Sequence, residues 1–322
     1  VKVTDAAGSA ALANGNSGVV LTSAANGNVI GGTSAAARNV ISGNGESGVR
    51  IFGAGTTGNL VQGNLISGNT RDGVEIEGDS TVVGNAVLGN SISGNGNSTV
   101  PHDEMGIDLV GANGVDANDA GDADTGPNNL QNFPVLTSAA SNATTTTISG
   151  TMSSEAIVRT YRLEFFSNAA CDPSGNGEGQ TFLGSINVTT DGAGNATFTA
   201  SLPVGTPVGQ VATATATDPA NNTSEFSACR TVAFDPTPPV SPDTTPPTTP
   251  ATNAGPRFQR QRMFPVAWSA STDAIGPVRY DVRYREAPYN GGFGAFVNWQ
   301  SGLTATNATF TGTPGTTYCF SA

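Results

Sequence analysis

The chain has 322 residues, a formal net charge of −12, and only 12% charged residues. This acidic balance argues against nucleic acid as a partner. No apolar run reaches the roughly 18–20 residues of a membrane-spanning helix, and the length predicts two or three domains.

Three short motifs recur in a fixed order along residues 18–110. The first is a glycine followed by alternating aliphatic residues, at Gly18–Leu21, Gly48–Ile51, Gly73–Ile76 and Gly106–Leu109. The second is Asn28–Ile30, which recurs at Asn59–Val61 and, more loosely, at Thr81–Val83. The third is Asn39–Asn44, which recurs at Asn64–Asn69 and Asn90–Asn95. Three strand-sized pieces per period, with Gly and Asn at each break, predict the coils of a parallel β-solenoid.

The aliphatic residues of these motifs are predicted to point inward and to stack from coil to coil, because side chains alternate along a strand. The predicted ladders are Val19 and Leu21 with Val49, Ile51, Val74, Ile76, Ile107 and Leu109; Ile30 with Val61 and Val83; and Ile41 with Ile66 and Ile92. Asn39, Asn64 and Asn90 lie two residues before an inward isoleucine and are predicted to form a ladder of hydrogen-bonded amides. We also expect Val3 to occupy the position of Ile41 in an earlier coil, and the chain to be part of a longer protein.

Residues 28–44 and 55–64 resemble the right-handed parallel β-helix repeats of very large bacterial secreted and surface proteins. The resemblance implies a β-helix with three strands per coil over residues 1–110. Such repeats occur in polysaccharide lyases, in adhesins and in proteins with no assigned role, so the motif indicates a fold rather than an activity.

The rest of the chain also predicts β-structure, which makes the expected fold class all-β. Residues 111–132 form an Asp-rich junction, and residues 133–234 contain about seven short strand-like runs typical of an immunoglobulin-like β-sandwich. Residues 235–250 are rich in Pro and Thr and predict a semi-rigid linker. Residues 251–322 resemble a fibronectin type III domain at Phe264–Trp268, Tyr280–Arg285 and Thr317–Ala322, and the resemblance implies a truncated domain.

The three cysteines favour one disulfide if the chain is secreted. Cys171 and Cys229 fall within the same predicted sandwich, so we pair them. Cys319 is left over, and we expect its partner downstream of residue 322.

The Asp-rich junction is the best candidate metal site. Asp116, Asn118, Asp119, Asp122 and Asp124 supply the hard oxygen ligands that Ca²⁺ prefers, although their spacing is not that of an EF-hand. The alternative is a solvated acidic linker.

The outward positions of the first motif form a second candidate site. They read Val20, Arg50, Glu75 and Asp108 from coil to coil, with Glu77 beside them. In β-helix lyases, acids and a basic residue on one sheet face bind calcium and abstract a proton, so these residues define an alternative glycan site. We favour a surface charge ladder in which Arg50 pairs with Glu75, because no second basic residue and few aromatic residues are expected nearby.

The only histidine, His102, is followed by Asp103 and Glu104 where the repeat lengthens. We expect an exposed loop there rather than a hydrolytic triad, because no Ser or Cys nucleophile accompanies the histidine.

The sequence as a whole favours a structural or adhesive extracellular surface protein, such as a stalk, filament or adhesin segment, with no catalysis of its own. The alternatives are a β-helix polysaccharide lyase and a carbohydrate-binding module of a larger enzyme. The expected partners are neighbouring domains of a longer chain or copies of itself, with cell-surface glycans as a further candidate. We expect calcium as the one cofactor to test.

Overall fold

The computed structural model describes residues 14–96, 105–110, 114–236, 248–253, 261–272, 278–288 and 290–322. It is all-β, with 45% strand and 3% helix. The chain divides into two compact units, Val1–Pro239 and Val240–Ala322. The expectations for Val3 and for His102–Glu104 lie outside the described residues. Within the described part of the chain, no helix has the length and apolar character needed to cross a membrane.

Ten short strands in the first unit form three parallel sheets, which we call the parallel stack. One sheet contains β1 (Val19–Leu21), β4 (Val49–Phe52), β7 (Val74–Glu77) and β10 (Ile107–Asp108). The second contains β2 (Val29–Gly31), β5 (Leu60–Gln62) and β8 (Ala86–Leu88), and the third contains β3 (Val40–Ser42), β6 (Leu65–Ser67) and β9 (Ser91–Ser93). A 3₁₀ helix, Ala35–Ala37, lies between β2 and β3. The described residues therefore contain three complete coils and the first strand of a fourth.

The aliphatic ladders of the stack face its interior, as the sequence predicts. Ile41, Ile66 and Ile92 are paired in register between adjacent coils, and none is more than 5% exposed. Val49 and Ile51 of the first ladder are fully buried. Burial of each such side chain contributes roughly 1.5–3 kcal/mol to stability.

One predicted ladder position is wrong. Val61 pairs with Val87 of β8, whereas Val83 lies outside that strand. The reason is the asparagine spacing: Asn85 precedes Val87 by two residues, just as Asn59 precedes Val61. The looser likeness of Thr81–Val83 to the motif is therefore misleading, although the neighbouring Val82 is buried in the same core.

Stacked asparagines run along the corners of the stack. Nδ2 of Asn39 donates to Oδ1 of Asn64 at 3.0 Å, and Nδ2 of Asn64 donates to Oδ1 of Asn90 at 3.1 Å, which forms the predicted ladder. Two further ladders, which the sequence analysis did not single out, run through Asn28, Asn59 and Asn85 and through Asn44, Asn69 and Asn95. These amides also bond to backbone groups of adjacent coils, so they satisfy polar groups inside the stack.

The glycine that opens each first motif is required by close packing between coils. A Cβ atom on Gly48 would lie 2.5 Å from Cγ2 of Ile66 and 2.7 Å from the carbonyl oxygen of Gly73. Any larger residue at this position would push neighbouring coils apart.

Residues 135–234 form two four-stranded, mainly antiparallel sheets, which we call the antiparallel region. One sheet has the order β15–β12–β11–β18 and the other β14–β13–β16–β17. The strand bounds are β11 (Val135–Ser141), β12 (Thr146–Ser153), β13 (Thr160–Asn168), β14 (Thr181–Thr189), β15 (Asn195–Leu202), β16 (Val211–Thr217), β17 (Arg230–Thr231) and β18 (Ala233–Phe234). A 3₁₀ helix, Pro127–Leu130, precedes them.

The antiparallel region has its own apolar core. Tyr161, Leu163 and Phe165 of β13 are fully buried there and pack with residues of both sheets. Cys171 and Cys229 form the predicted disulfide, with their Cα atoms 5.9 Å apart.

The second unit contains a two-stranded and a three-stranded antiparallel sheet, with the orders β19–β22 and β21–β20–β23. The bounds are β19 (Met263–Ala267), β20 (Tyr280–Pro288), β21 (Val297–Leu303), β22 (Asn307–Thr311) and β23 (Thr316–Ser321). Trp268, Tyr280 and Val282 form its buried core. Cys319 of β23 is a free thiol among the described residues.

Candidate functional site

The antiparallel region packs directly onto the last coil of the parallel stack. Phe166 and Phe226 belong to the same buried cluster as the aliphatic ladders, and their rings meet edge to face with centroids 5.3 Å apart. Ile92 of β9 also exchanges two backbone hydrogen bonds with Gly179, at 2.8 and 3.1 Å. We call this contact, between residues 72–96 and 105–109 of the stack and residues 128, 164–179 and 222–226, the seam.

Side chains of the antiparallel region, and of Asn128 just before it, accept hydrogen bonds from N–H groups of the last coil that would otherwise point at a further coil. Oε1 of Glu178 accepts from Nδ2 of Asn95 at 2.8 Å, and Oε2 accepts from the backbone N–H of Gly94. Oδ1 of Asn128 accepts from the backbone N–H of Asn85 at 3.0 Å. Glu178 and Asn128 thus take the next position of two asparagine ladders.

Four further acceptors complete this termination of the stack. In each remaining hydrogen bond, a backbone N–H of the stack donates to a side-chain oxygen. The pairs are Gly84 with Asn222, Val87 with Thr223, Gly89 with Glu164, and Leu109 with Glu225, at 2.6 to 3.1 Å. Because an open sheet end exposes unpaired N–H and C=O groups, these contacts protect the stack from pairing with other chains.

Several carboxyl groups converge on the first-strand side of the seam. Asp72, Glu75, Asp108 and Glu225 are each 8% exposed or less. Asp72 accepts from the backbone N–H of Met105 at 2.9 Å, and Glu225 accepts from the backbone N–H groups of Leu109 and Asp116 at 3.1 and 3.0 Å. Oδ1 of Asp108 is buried and has no hydrogen-bond partner among the described residues.

Burial raises the pKa values of three of these carboxyl groups. The pKa of Asp72 rises to about 6, that of Glu225 to about 8 and that of Asp108 to about 9. Loss of hydration is the main cause, and repulsion between neighbouring carboxylates adds to it at all three groups. Near neutral pH, Asp108 and Glu225 therefore favour their protonated forms unless a positive charge compensates them, whereas Asp72, with a pKa of about 6, is mainly ionised.

The predicted glycan-site residues Arg50, Glu75 and Asp108 are paired in register on adjacent strands, but Glu75 and Asp108 are buried, so the residues do not form an open surface. Arg50 pairs with Glu75 at 3.3 Å and with Glu77 at 2.5 Å, and its guanidinium lies over the ring of Phe52. Glu75 and Asp108 are adjacent in register. The expected pairing of Arg50 with Glu75 is present, but the surface position expected for Glu75 and Asp108 is wrong.

The sequence analysis missed two of the residues that matter here. The guanidinium of Arg71 lies 3.9 Å from Glu75, so a second basic residue is present after all. Asp72 directly precedes the first-motif glycine, the position held by Ser47 in the previous coil. That change from Ser to Asp was the available signal, because a charge in a repeat position is unusual inside a stack.

The predicted calcium ligands divide into separate groups. Asp119, Asp122 and Asp124, which we call the aspartate triad, each place one carboxylate oxygen within 4.8 Å of the others. The side chain of Asn118 instead forms two hydrogen bonds with the backbone of Phe133: Nδ2 donates to the carbonyl oxygen at 2.8 Å, and Oδ1 accepts from the N–H at 2.9 Å. Asp116 is outside the triad and acts electrostatically on Asp108 at the seam.

The triad is bound to the antiparallel region. Asp122 accepts from the hydroxyl of Ser154 at 2.6 Å and from the backbone N–H of Asn132 at 2.8 Å. Burial raises the pKa of Asp122 and of Asp124, and the charge of Asp119 raises both further. A hard cation bound there would offset this repulsion.

No protein-family model and no curated protein matches the chain significantly. The functional argument therefore depends on the geometry of the seam and of the aspartate triad.

Proposed function

We propose that this chain is a structural or adhesive segment of an extracellular surface protein, a stalk, filament or adhesin part with no catalysis of its own. In this proposal the parallel stack is a right-handed β-helix, the antiparallel region an immunoglobulin-like sandwich and the second unit a fibronectin type III-like domain. Neighbouring domains of a longer chain, copies of itself and cell-surface glycans are its candidate partners.

The observation that carries the proposal is the seam. Phe166 and Phe226 of the antiparallel region lie in the buried cluster of the stack, and polar groups of the last coil are bonded to Glu178 of the antiparallel region and to Asn128 just before it. Such a continuous body resists bending between its parts, which suits a load-bearing segment. The disulfide supports an oxidising, extracellular location.

We also propose that the aspartate triad binds calcium. Its three carboxylate oxygens already lie close together, and Asp122 connects them to Ser154 of the antiparallel region. A bound Ca²⁺ would stiffen residues 119–132 rather than take part in a reaction.

The glycan-active alternative depends on Arg50, Glu75, Glu77 and Asp108. The raised pKa of Asp108 is a feature found at many catalytic sites, and it is the observation in favour of this alternative. The engagement of Arg50 by two carboxylates weighs against it, because a substrate carboxylate would have to displace them.

The two functions are separated by a paired experiment. We expect antibodies against the purified chain to label intact cells that produce it, and we expect the chain to show no turnover on pectin or alginate. Turnover that disappears in Arg50→Ala would establish the enzyme instead. Labelling only after cell lysis would contradict a surface role.

A further inference from the structure

The seam brings together more carboxyl groups than the neighbouring arginines, Arg50 and Arg71, pair with. Arg50 and Arg71 both pair with Glu75, and Arg50 also pairs with Glu77. Arg71 lowers the pKa of Asp72, but this effect is smaller than the effect of burial. Among the described residues, no ion pair within 4 Å involves Asp72, Asp108 or Glu225.

Asp108 has the most clearly unsatisfied carboxyl group of this cluster. Asp108 is only 8% exposed, yet its Oδ1 has no hydrogen-bond partner in the described part of the chain. Its strongest electrostatic neighbours are Asp72, Glu225, Glu75 and Asp116, so the side chain lies among carboxylates. A buried oxygen without a partner destabilises the folded state, and more so when it is charged.

We propose that Asp72, Asp108 and Glu225 bind a hard divalent cation of the Ca²⁺ type at the seam. Asp72 and Asp108 belong to the parallel stack, whereas Glu225 follows β16 in the antiparallel region. The ion therefore joins the two parts of the first unit directly, at a place separate from the aspartate triad.

The coordination chemistry of calcium is compatible with this arrangement. Each oxygen of Glu225 accepts only one described hydrogen bond, which leaves lone pairs for a metal. Ca²⁺ accepts six to eight oxygen ligands at about 2.3–2.6 Å, so ligands on opposite sides of one ion lie about 5 Å apart. The carboxylates of such a site need not be packed as closely as those of the triad, and water and carbonyl oxygens complete the shell.

The test measures Ca²⁺ binding by calorimetry on the whole chain after treatment with a chelator. The background variant is Asp124→Asn, which removes a triad carboxylate but leaves the bonds of Asp122 to Ser154 in place. We expect this variant to retain one bound Ca²⁺, and we expect Asp108→Asn or Glu225→Gln in the same background to abolish it. Asp79→Asn, which changes an exposed acid, is the charge-matched control and should bind normally.

Two results would overturn the proposal: loss of all calcium binding in Asp124→Asn, or undiminished binding after Asp108→Asn. If the seam variants do not fold, the stoichiometry of the folded chains decides the question: the wild-type chain should bind one Ca²⁺ more than Asp124→Asn, and Asp124→Asn should still bind one. A wild-type chain that binds a single Ca²⁺, lost in Asp124→Asn, would exclude the seam. Neither result depends on whether the chain is adhesive.

Discussion

The parallel stack and the antiparallel region complete their hydrogen bonding in different ways. In the antiparallel region, the central strand β13 has partners on both sides within the region, and its core is apolar. In the stack, each strand finds its partners in the coils before and after it. The last coil therefore depends on groups outside the repeat, and the antiparallel region supplies them from residues 75 to 138 positions away in the chain.

The difference shows that a repeat can specify its own interior but not its end. The stack contributes the same ladders coil after coil, whereas its termination uses Glu164, Glu178 and Asn128, which belong to no repeat. Four predictions would break or sharpen this comparison.

The largest expected effect is that of pH on the seam. The raised pKa values of Asp72, Glu225 and Asp108 lie above the unfolded value of about 4, so the folded state binds more protons than the unfolded state between these limits. Their stabilising contribution is complete below about pH 4 and is lost as the pH rises towards 9. In the presence of a chelator, urea unfolding should therefore give a lower free energy of unfolding at pH 9 than at pH 5.

The control is Asp108→Asn, which cannot ionise and should flatten this dependence. A wild-type chain whose stability rises from pH 5 to pH 9 in chelator would contradict the burial of protonated carboxyl groups at the seam.

The contrast between the repeat and its termination also explains which features of the fold and of the candidate site the sequence could predict. The ladder of Ile41, Ile66 and Ile92 was predictable because a fixed period places equivalent residues in register. The error at Val83 arose because one coil keeps its asparagine spacing and changes its other residues. The buried state of Glu75 and Asp108 was not predictable, because it depends on contacts such as that of Glu225 with Leu109, 116 residues apart.

The next largest effect should come from the disulfide. Cys171 and Cys229 are 58 residues apart, and the loop between them contains Glu178 and Phe226, both of which contact the last coil. In the chain-entropy model its removal costs about 4 kcal/mol. We expect the Cys171→Ser/Cys229→Ser variant to unfold at a much lower urea concentration, while Cys319→Ser, which affects only the free thiol, leaves the midpoint unchanged.

Matched truncations in the two cores test whether the stack and the antiparallel region unfold together. Ile66 of the stack and Ile148 of the antiparallel region are both fully buried. Ile66→Ala and Ile148→Ala should each cost about 2–5 kcal/mol. Because Phe166 and Phe226 of the antiparallel region are buried in the cluster of the stack, both variants should lower a single calorimetric transition of the first unit. Separate transitions, with Ile66→Ala moving only one of them, would show that the seam is weak.

The smallest and most local effect concerns Glu178 as the terminal residue of an asparagine ladder. Glu178→Ala removes the acceptors of the Gly94 N–H and of both N–H donors of Asn95, the backbone and the side chain. Leaving these buried donors without partners should cost about 1–3 kcal/mol. Hydrogen exchange of the Gly94 and Asn95 amides should accelerate strongly, whereas that of Leu163 in the antiparallel core should change only as much as global stability does. Glu178→Gln keeps one oxygen acceptor and should restore part of the protection at Asn95. Equal acceleration at Leu163 and Asn95 would mean that Glu178 supports the antiparallel region generally, and the contrast between a self-contained antiparallel region and a dependent stack would then fail at this position.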